Sequence, residues 1–323
     1  MTNNNTLMKM KVAHRRTLTP AIAEFTLVSA DGRQLPSYSA GSHITVQTPS
    51  GAMRRYSLVG PGESPESYVI AVKKEPASRG GSQSMHDEAV EGTELMVDVP
   101  ENEFPLKDAP KYLLIAGGIG VTPIIAMARY VEEKGKPLKI IYLSRSAEDA
   151  AYLDELKEAY GSRIESYGPV LIVHHDGGDP SKAYDFWDHF ANPRNIHVYC
   201  CGPKPMMDEI KSLSGHWPEG RVNFEDFKPV EIVRADDQPF LVELAKTGKT
   251  ITVPADRSIL EAMRDNGVAT VSSCESGTCG TCKTRLISGK VDHRDMVLMD
   301  EEMDDFIMTC VSRSKGGKLV LDL

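Results

Sequence analysis

Four of the chain's six cysteines fall in its last fifty residues, and three of those crowd into nine positions, CESGTCGTC at 274–282. A fourth, Cys310, follows after 27 intervening residues. The opening MTNNNTLMKM lacks the basic and then apolar stretches of a secretory leader, and nowhere do about 18 apolar residues run together. A soluble, cytoplasmic protein is therefore expected. In that reducing compartment thiols serve metal ligation more often than stapling. The cysteine loop thus demands a local fold able to present four sulfurs to metal. A net charge of −9, with no Lys/Arg stripe, excludes a nucleic-acid partner, whose phosphates would be repelled.

The 323 residues are enough for two or three domains. Residues 1–107 hold short runs rich in β-branched and aromatic residues (HITVQT, RRYSLVG, YVIAVK, TELMVDVP) cut by Gly, Pro and Asp, the pattern of an antiparallel β-barrel or sandwich. Over 108–227 the pattern becomes apolar runs (KYLLIAGG, LKIIYLS, PVLIVHH, NIHVYCCG) alternating with helical stretches, as in an open α/β parallel sheet. Ligands of such a sheet bind beyond the carboxyl ends of its strands. Residues 228–323 comprise a linker and a C-terminal α+β domain, with two strands and an amphipathic helix leading into the cysteine loop.

C-x4-C-x2-C with a distant fourth cysteine is the spacing by which four thiolates hold a plant-type [2Fe-2S] cluster. Gly277 and Gly280, with the small Ser276, Thr278 and Thr281, suit a tight loop that points amides at sulfur. A zinc ribbon brings two C-x2-C knuckles, and only Cys279 and Cys282 form one here. A redox-active C-x-x-C would leave Cys274 and Cys310 without a role. Cys274, Cys279, Cys282 and Cys310 are accordingly the expected metal ligands. Such a cluster takes one electron at low potential, so something upstream must load it.

The run KYLLIAGG passes into GIGVTP before a helix, placing Gly117, Gly118 and Gly120 at a strand-to-helix turn where a pyrophosphate can approach the backbone. This is not G-x-G-x-x-G, and alone it would signal no more than tight packing. Thr122 and Pro123 open the following helix, and a later strand ends in Cys201-Gly202-Pro203, so two such turns outline one crevice. Cys200 reads as a buried strand-end residue and Cys201 as the better candidate for a nicotinamide contact. Ser144, Arg145 and Ser146 either meet an adenosine ribose or form a solvated turn.

In the N-terminal region Arg54-Arg55-Tyr56-Ser57 opens a strand and Arg79-Gly80-Gly81-Ser82 precedes a helical stretch. Amides of a Gly-Gly-Ser turn make an anion nest to which Arg54 adds a charge-assisted bond. A strand tyrosine offers a flat apolar face with a hydroxyl edge, which suits a flavin ring.

Together these three motif sets resemble the ferredoxin-reductase-type electron-transfer subunits of bacterial Rieske oxygenases, in the domain order of the phthalate dioxygenase reductase type. HHDGGDPSKAYDFW, GHWP, SSCESGTCGTCKT, DHRDMVL and the terminal LVLDL carry the likeness over nearly the whole chain. The resemblance implies FMN and NADH as cofactors, a β-grasp ferredoxin as the last domain, and a monomer that docks transiently on a Rieske-type oxygenase. Carried over by position, Arg54, Tyr56 and Ser57 line the flavin, while Lys73, Gly80, Gly81 and Ser82 hold its phosphate side. Phe224, in VNFEDF, covers the flavin face where nicotinamide stacks. Gly118, Thr122, Cys201, Gly202 and Pro203 surround the nicotinamide and pyrophosphate. Arg145 also leaves NADPH open, since a 2′-phosphate would welcome it.

A hydride is a two-electron parcel and the cluster accepts electrons singly, so the flavin is the necessary converter between them. The protein's part is placement, and no acid/base residue is assigned; His43, His86, His174 and His175 read as structural. Residues 235–323 carry 15 acidic and 11 basic side chains, densest in DEEMDD at 300–305, a solvated face or a docking patch for the oxygenase.

Overall fold

A computed structural model of the chain describes residues 7–60, 62–76, 80–165, 168–193, 195–227, 234, 236–272, 275, 277 and 280–323. It divides into two compact units, Met1–Phe227 and Lys228–Leu323.

The first unit opens with β1 (Met8–Thr19), β2 (Ile22–Ser29), β3 (His43–Gln47), β4 (Met53–Ser57) and β5 (Tyr68–Lys73), then α1 (Gly81–Glu88) and β6 (Glu94–Val97). These strands form one antiparallel sheet in the order β4-β3-β6-β1-β2-β5. A bridge between Leu58 and Ile70 joins its two edges and makes it a barrel, which removes the exposed edge strands. Period-2 alternation sends Met10, Val12, Phe25, Leu27, Ile44, Val46, Ile70 and Val72 into a shared core.

The same unit continues through β7 (Tyr112–Gly117), a 3-10 turn (Gly118–Gly120), α2 (Val121–Glu133), β8 (Leu138–Ser144) and α3 (Leu153–Tyr160). A small pair, β9 (Ile164–Glu165) and β10 (Gly168–Pro169), precedes β11 (Leu171–His175), α4 (Trp187–Phe190), β12 (His197–Cys201), α5 (Lys204–Leu213) and β13 (Val222–Glu225). The five-stranded sheet is parallel, in the order β11-β8-β7-β12-β13. All six residues of β7 are buried, as a strand covered on both faces requires. On one face Ile124, Ile125 and Met127 of α2 pack against Leu114 and Tyr142; on the other, Met207 and Ile210 of α5 pack with Ile115 and Cys200. Each such fully buried aliphatic side chain contributes roughly 1.5–3 kcal/mol.

The sequence divides barrel from sheet at 107/108, yet the two belong to one compact unit, because the core beneath α2 also takes in Ile22, Val59 and Ala71 of the barrel. Polar contacts add to it. Arg129 of α2 donates to the Val59 carbonyl at 2.8 Å, and Tyr152 donates to Glu24 at 2.8 Å. The connector is pinned by Tyr199, whose hydroxyl accepts from the Lys107 amide at 2.7 Å, and by Tyr112, which accepts from the Ala109 amide at 2.9 Å.

The second unit comprises β14 (Phe240–Leu244), β15 (Lys249–Val253), α6 (Ile259–Asp265), β16 (Lys283–Ser288), β17 (Val291–Asp292), β18 (Phe306–Met308), β19 (Arg313–Ser314) and β20 (Lys318–Leu321). Its main sheet runs β15-β14-β20-β16-β18, with β14 and β20 parallel and the other pairs antiparallel. Ile259, Leu260, Ala262 and Met263 of α6 cover that sheet, the mixed-sheet, one-helix layout expected of a β-grasp ferredoxin. Helix α6 starts at a capping box: the Glu261 amide donates to Ser258 Oγ at 3.1 Å and the Ser258 amide to Glu261 Oε2 at 2.9 Å. Such a cap is worth about 1 kcal/mol. Arg313 is buried beneath this fold, donating to the carbonyls of Pro254 at 3.0 Å, Gln238 at 3.2 Å and Arg257. Among the described residues no helix is long and apolar enough to cross a membrane.

Candidate electron-transfer site

Strand order reverses between β7 and β12, so their carboxyl ends open a crevice. The two backbones approach too closely for side chains: a Cβ on Gly202 would meet Gly117 Cα at 2.9 Å, and one on Gly120 would meet the Cys201 carbonyl at 2.2 Å. Gly118, at φ +54, faces open space, and no side chain caps α2; the Val121 amide is taken by the Gly118 and Ile119 carbonyls, so what the turn offers a ligand is its side-chain-free glycine backbone. Thr122 is buried and donates to the Ile119 carbonyl at 3.1 Å, so it shapes the turn. Pro203 is exposed at the mouth. Cys200 and Cys201 are both fully buried; burial pushes the Cys200 thiol up to about 12 and Cys201 well above its ordinary range. Both stay protonated, and neither is a nucleophile.

Ser144 and Arg145 follow β8. The Ser144 hydroxyl is engaged within the turn, 2.9 Å from the Ser146 carbonyl and 2.8 Å from His175 Nδ1. Arg145 is exposed beside the loop after β11, where the Gly177 amide donates to its carbonyl at 2.9 Å. A cavity of about 560 Å³ lies at the opposite, amino-end edge of the sheet, lined by Lys111, Lys139, His189 and Asn195. It stands away from the strand ends where such sheets bind their ligands.

Across the unit, β4 carries Arg54, Arg55, Tyr56 and Ser57. Arg54 lies across the start of α1 so closely that a Cβ on Gly81 would sit 2.8 Å from its Nε. Gly80 takes the left-handed N-cap position at φ +88, with no side-chain cap on the helix. Ser82 accepts from the Glu75 amide at 3.1 Å, and the exposed Lys73 pairs with Glu75 at 2.6 Å. Arg55 Nη2 is committed to Glu103 at 2.6 Å and to His43 Nδ1 at 3.2 Å.

Tyr56 Oη and Ser57 Oγ are enclosed without a hydrogen-bond partner. Burial pushes the Tyr56 hydroxyl above its usual range. Buried polar groups are nearly always partnered, so orphans beside an open helix start and an arginine fit a flavin, with polar ring edge and phosphate.

At β13 the geometry departs from the sequence reading. Phe224 pairs with Cys200 and packs with it on the α5 face, its ring 5.2 Å from Lys211 Nζ, so it is not brought to the barrel side. Glu225 pairs with Cys201 and points the other way, within electrostatic reach of Arg55 and Glu103. Its Oε2 is enclosed without a partner, and burial pushes the carboxyl up to about 8, with Arg55 pulling down and Glu103 pushing up. Two residues on, Phe227 is 40% exposed. Glu225 is the functional candidate that the sequence reading missed; its only signal was the parity of VNFEDF.

In the second unit Cys282 and Cys310 are both buried. Thr309, beside Cys310, donates its hydroxyl to the Cys282 carbonyl at 3.2 Å and so ties the two together. Cys274 and Cys279 lie outside the described residues, as do Ser276, Thr278 and Arg79. Gly277 at φ +76 and Gly280 at φ +79 take conformations that side chains avoid, and a Cβ on Gly277 would press on Val311 at 2.9 Å. Two buried thiols on tied segments, with a glycine-shaped loop between the outer pair, fit an iron–sulfur cluster.

Residues 114–212 match the family described as oxidoreductase NAD-binding domain, and 242–315 match the 2Fe-2S iron-sulfur cluster binding domain. Phthalate dioxygenase reductase of Burkholderia cepacia is 44% identical over 319 residues, 98% of this chain and 97% of its own length. A phthalate 4,5-dioxygenase oxygenase reductase subunit of Pseudomonas putida is 45% identical over 317 residues, 97% and 96% of the two chains. A solved phthalate dioxygenase reductase, described as a modular structure for electron transfer from pyridine nucleotides to [2Fe-2S], superposes with a TM-score of 0.87 at 44% identity over 98% of each chain. Likeness of this extent, joined to the crevice and the cysteine loop, makes the chain a member of the phthalate dioxygenase reductase family, electron-transfer oxidoreductases with an NAD-binding sheet and a [2Fe-2S] ferredoxin domain.

Proposed function

We propose that this chain takes a hydride from NADH onto FMN and passes single electrons through its [2Fe-2S] cluster to a Rieske-type oxygenase. The observation that carries it is the set of orphaned polar atoms, Tyr56 Oη, Ser57 Oγ and Glu225 Oε2, in the same compact unit as the crevice. When bound, flavin supplies the exchange between a two-electron hydride and single electrons. Everything else is placement by the chain. Arg54, Gly80 and Gly81 hold a phosphate at the start of α1, with Lys73 and Ser82 at its margin, and Tyr56 and Ser57 satisfy the ring edge. Gly118, Gly202 and Pro203 bring the backbone to the pyrophosphate, while protonated Cys201 forms an apolar floor. Phe227, two residues beyond Glu225 and 40% exposed, replaces Phe224, which packs on the α5 face, as the aromatic cover that nicotinamide displaces. Cys274, Cys279, Cys282 and Cys310 hold the cluster.

The cytoplasmic monomer and its transient docking belong to the same reading. The names of the relatives make an oxygenase acting on phthalate or another aromatic acid the first partner to try. Exposed Met296, whose amide donates to the Gly277 carbonyl at 3.0 Å, and exposed Met299 offer that partner an apolar contact beside the cysteine loop.

The test is the absorption spectrum of the purified protein before and after anaerobic NADH, with the released flavin identified by chromatography. Flavin and ferric-sulfur bands that bleach together, with FMN released, support the reading. A colourless protein, or bands indifferent to NADH and NADPH, would sink it.

A further inference from the structure

Two buried carboxylates hold the cysteine loop. Asp295, with its side chain fully buried, accepts from the amides of Leu298 at 2.9 Å and Val297 at 3.2 Å and from Ser312 Oγ at 3.2 Å. Its role is complete in those bonds: it shapes the turn whose Met296 amide reaches Gly277.

Glu275 is different. It follows Cys274 directly and sits at φ +51, a left-handed conformation that costs a residue other than glycine about 1–2 kcal/mol. Strain of this kind persists only where neighbours over-determine it. Here the neighbour is Arg264 of α6. Its Nη1 lies 2.6 Å from Glu275 Oε1, and the carboxylate side chain is only 5% exposed. Ser272 donates to the same oxygen at 3.0 Å. The one guanidinium also donates through Nε to Thr270 Oγ1 at 3.2 Å and through Nη2 to Ser272 Oγ. It therefore grips the chain at three stations, two before Cys274 and one after it. A planar fork with several donors can serve such a fan of acceptors; an ammonium cannot.

We propose that Arg264 and Glu275 form a positioning pair for the iron–sulfur cluster, fixing the backbone on both sides of Cys274 and cancelling the Glu275 charge where electrons arrive. The inference rests on the cluster reading of the four cysteines. Glu275 without its cation would be a buried negative charge with no opposite charge from Arg264, opposing each added electron, and Arg264 without its anion would favour that electron. The proposed oxidation of NADH supplies the electron, so the pair changes only how readily it is accepted.

The test uses the holoenzyme and a redox titration of the cluster followed by electron paramagnetic resonance, with iron and acid-labile sulfide measured per chain. Arg264→Gln is expected to lower the cluster's midpoint potential and Glu275→Gln to raise it, with the double variant returning towards the parent. Arg264→Lys should restore the potential but not the full iron content, because it cannot hold all three stations. If Arg264→Gln keeps no cluster, Glu275→Gln carries the test alone. Equal potentials, or shifts of the same sign in both single variants, would overturn the pair's role. A parent protein without iron or sulfide would instead remove the cluster reading beneath it.

Discussion

Each of the two compact units encloses a carboxyl group, and the two groups are pushed in opposite directions. In the second unit Asp237 is held at about 2, chiefly by its bonds from Arg294 at 2.8 and 2.5 Å, with Arg313 adding its charge from 3.4 Å. In the first, Glu225 is pushed up to about 8 by burial, and one of its oxygens has no partner. An acid that is fully paired with buried arginines is architecture: it fastens the end of the linker to the ferredoxin fold. An acid with an enclosed, unpartnered oxygen is not accounted for by the chain's own bonds. It stands at the carboxyl end of the nucleotide sheet, within electrostatic reach of Arg55 and Glu103 of the barrel region, which is where the proposed function seats its ligands.

The contrast is broken most forcefully at Asp237. Asp237→Asn leaves Arg313, whose side chain is 2% exposed, without its nearest carboxylate, and Arg294, 4% exposed, with the Asp292 carboxylate in place of two. Removing one partner of such a buried pair costs about 3–5 kcal/mol. In denaturant titrations the loss of cluster absorbance should move to much lower denaturant, while flavin release from the first unit stays in place. Acid behaviour gives the sign. A carboxyl lowered from 3.8 to about 2 contributes stability that is present above about pH 4 and lost as pH falls through about 2. The variant's ferredoxin unit should lack that acid transition.

Next in size is the crevice, where the first unit depends on close backbone approach. Gly202→Ala puts a Cβ 2.5 Å from Met206 Cε and 2.9 Å from Gly117 Cα, backbone that cannot give way. A misplacement of about 1 Å at reacting groups costs about 10²-fold in rate. Stopped-flow reduction by NADH should fall by that order, with the cluster spectrum of the second unit unchanged.

Glu225→Gln tests the other half of the comparison. The folded unit holds this proton up to about pH 8, whereas an unfolded glutamate releases it near 4.5, so between those values the folded state binds more protons. Stability of the first unit should therefore fall as pH rises from about 4.5 to about 8, by up to ~1.4 kcal/mol per pH unit. Thermal melts of Glu225→Gln across that window should be flatter than those of the parent. A parallel pair of curves would mean that Glu225 is not the titrating group.

How far the sequence foretold this varied with the physics. The continuous apolar runs that became β7, β8, β11 and β12 were legible because strands buried on both faces need them. β1 was not read as a strand, because MKMKVAHRRTLT buries only Met10, Val12 and Thr19 and turns Lys and Arg outward. The thiol spacing spoke for the cluster without any fold. Glu225 was hidden for a different reason: which of two neighbours faces the barrel depends on the parity of β13, and only its register with β12, Cys200 to Phe224 and Cys201 to Glu225, decides it.

The smallest expected effect lies on the surface, where the second unit hands electrons on. Of the acidic run 300–305, Glu302 is paired with Lys283, which holds its carboxyl below the usual range, whereas Asp300, Glu301, Asp304 and Asp305 are exposed. Exposed charges contribute little to stability but steer encounters, and salt screens them within about 8 Å at physiological ionic strength. Asp300→Lys with Asp304→Lys should therefore leave both units' melts and NADH-driven ferricyanide reduction unchanged, while slowing electron delivery to the oxygenase a few-fold at low salt. The deficit should shrink as salt rises, because the parent's advantage is screened away. A variant as fast as the parent at low salt would move the docking surface away from this run, towards Met296 and Met299, where substitution would slow delivery at every ionic strength.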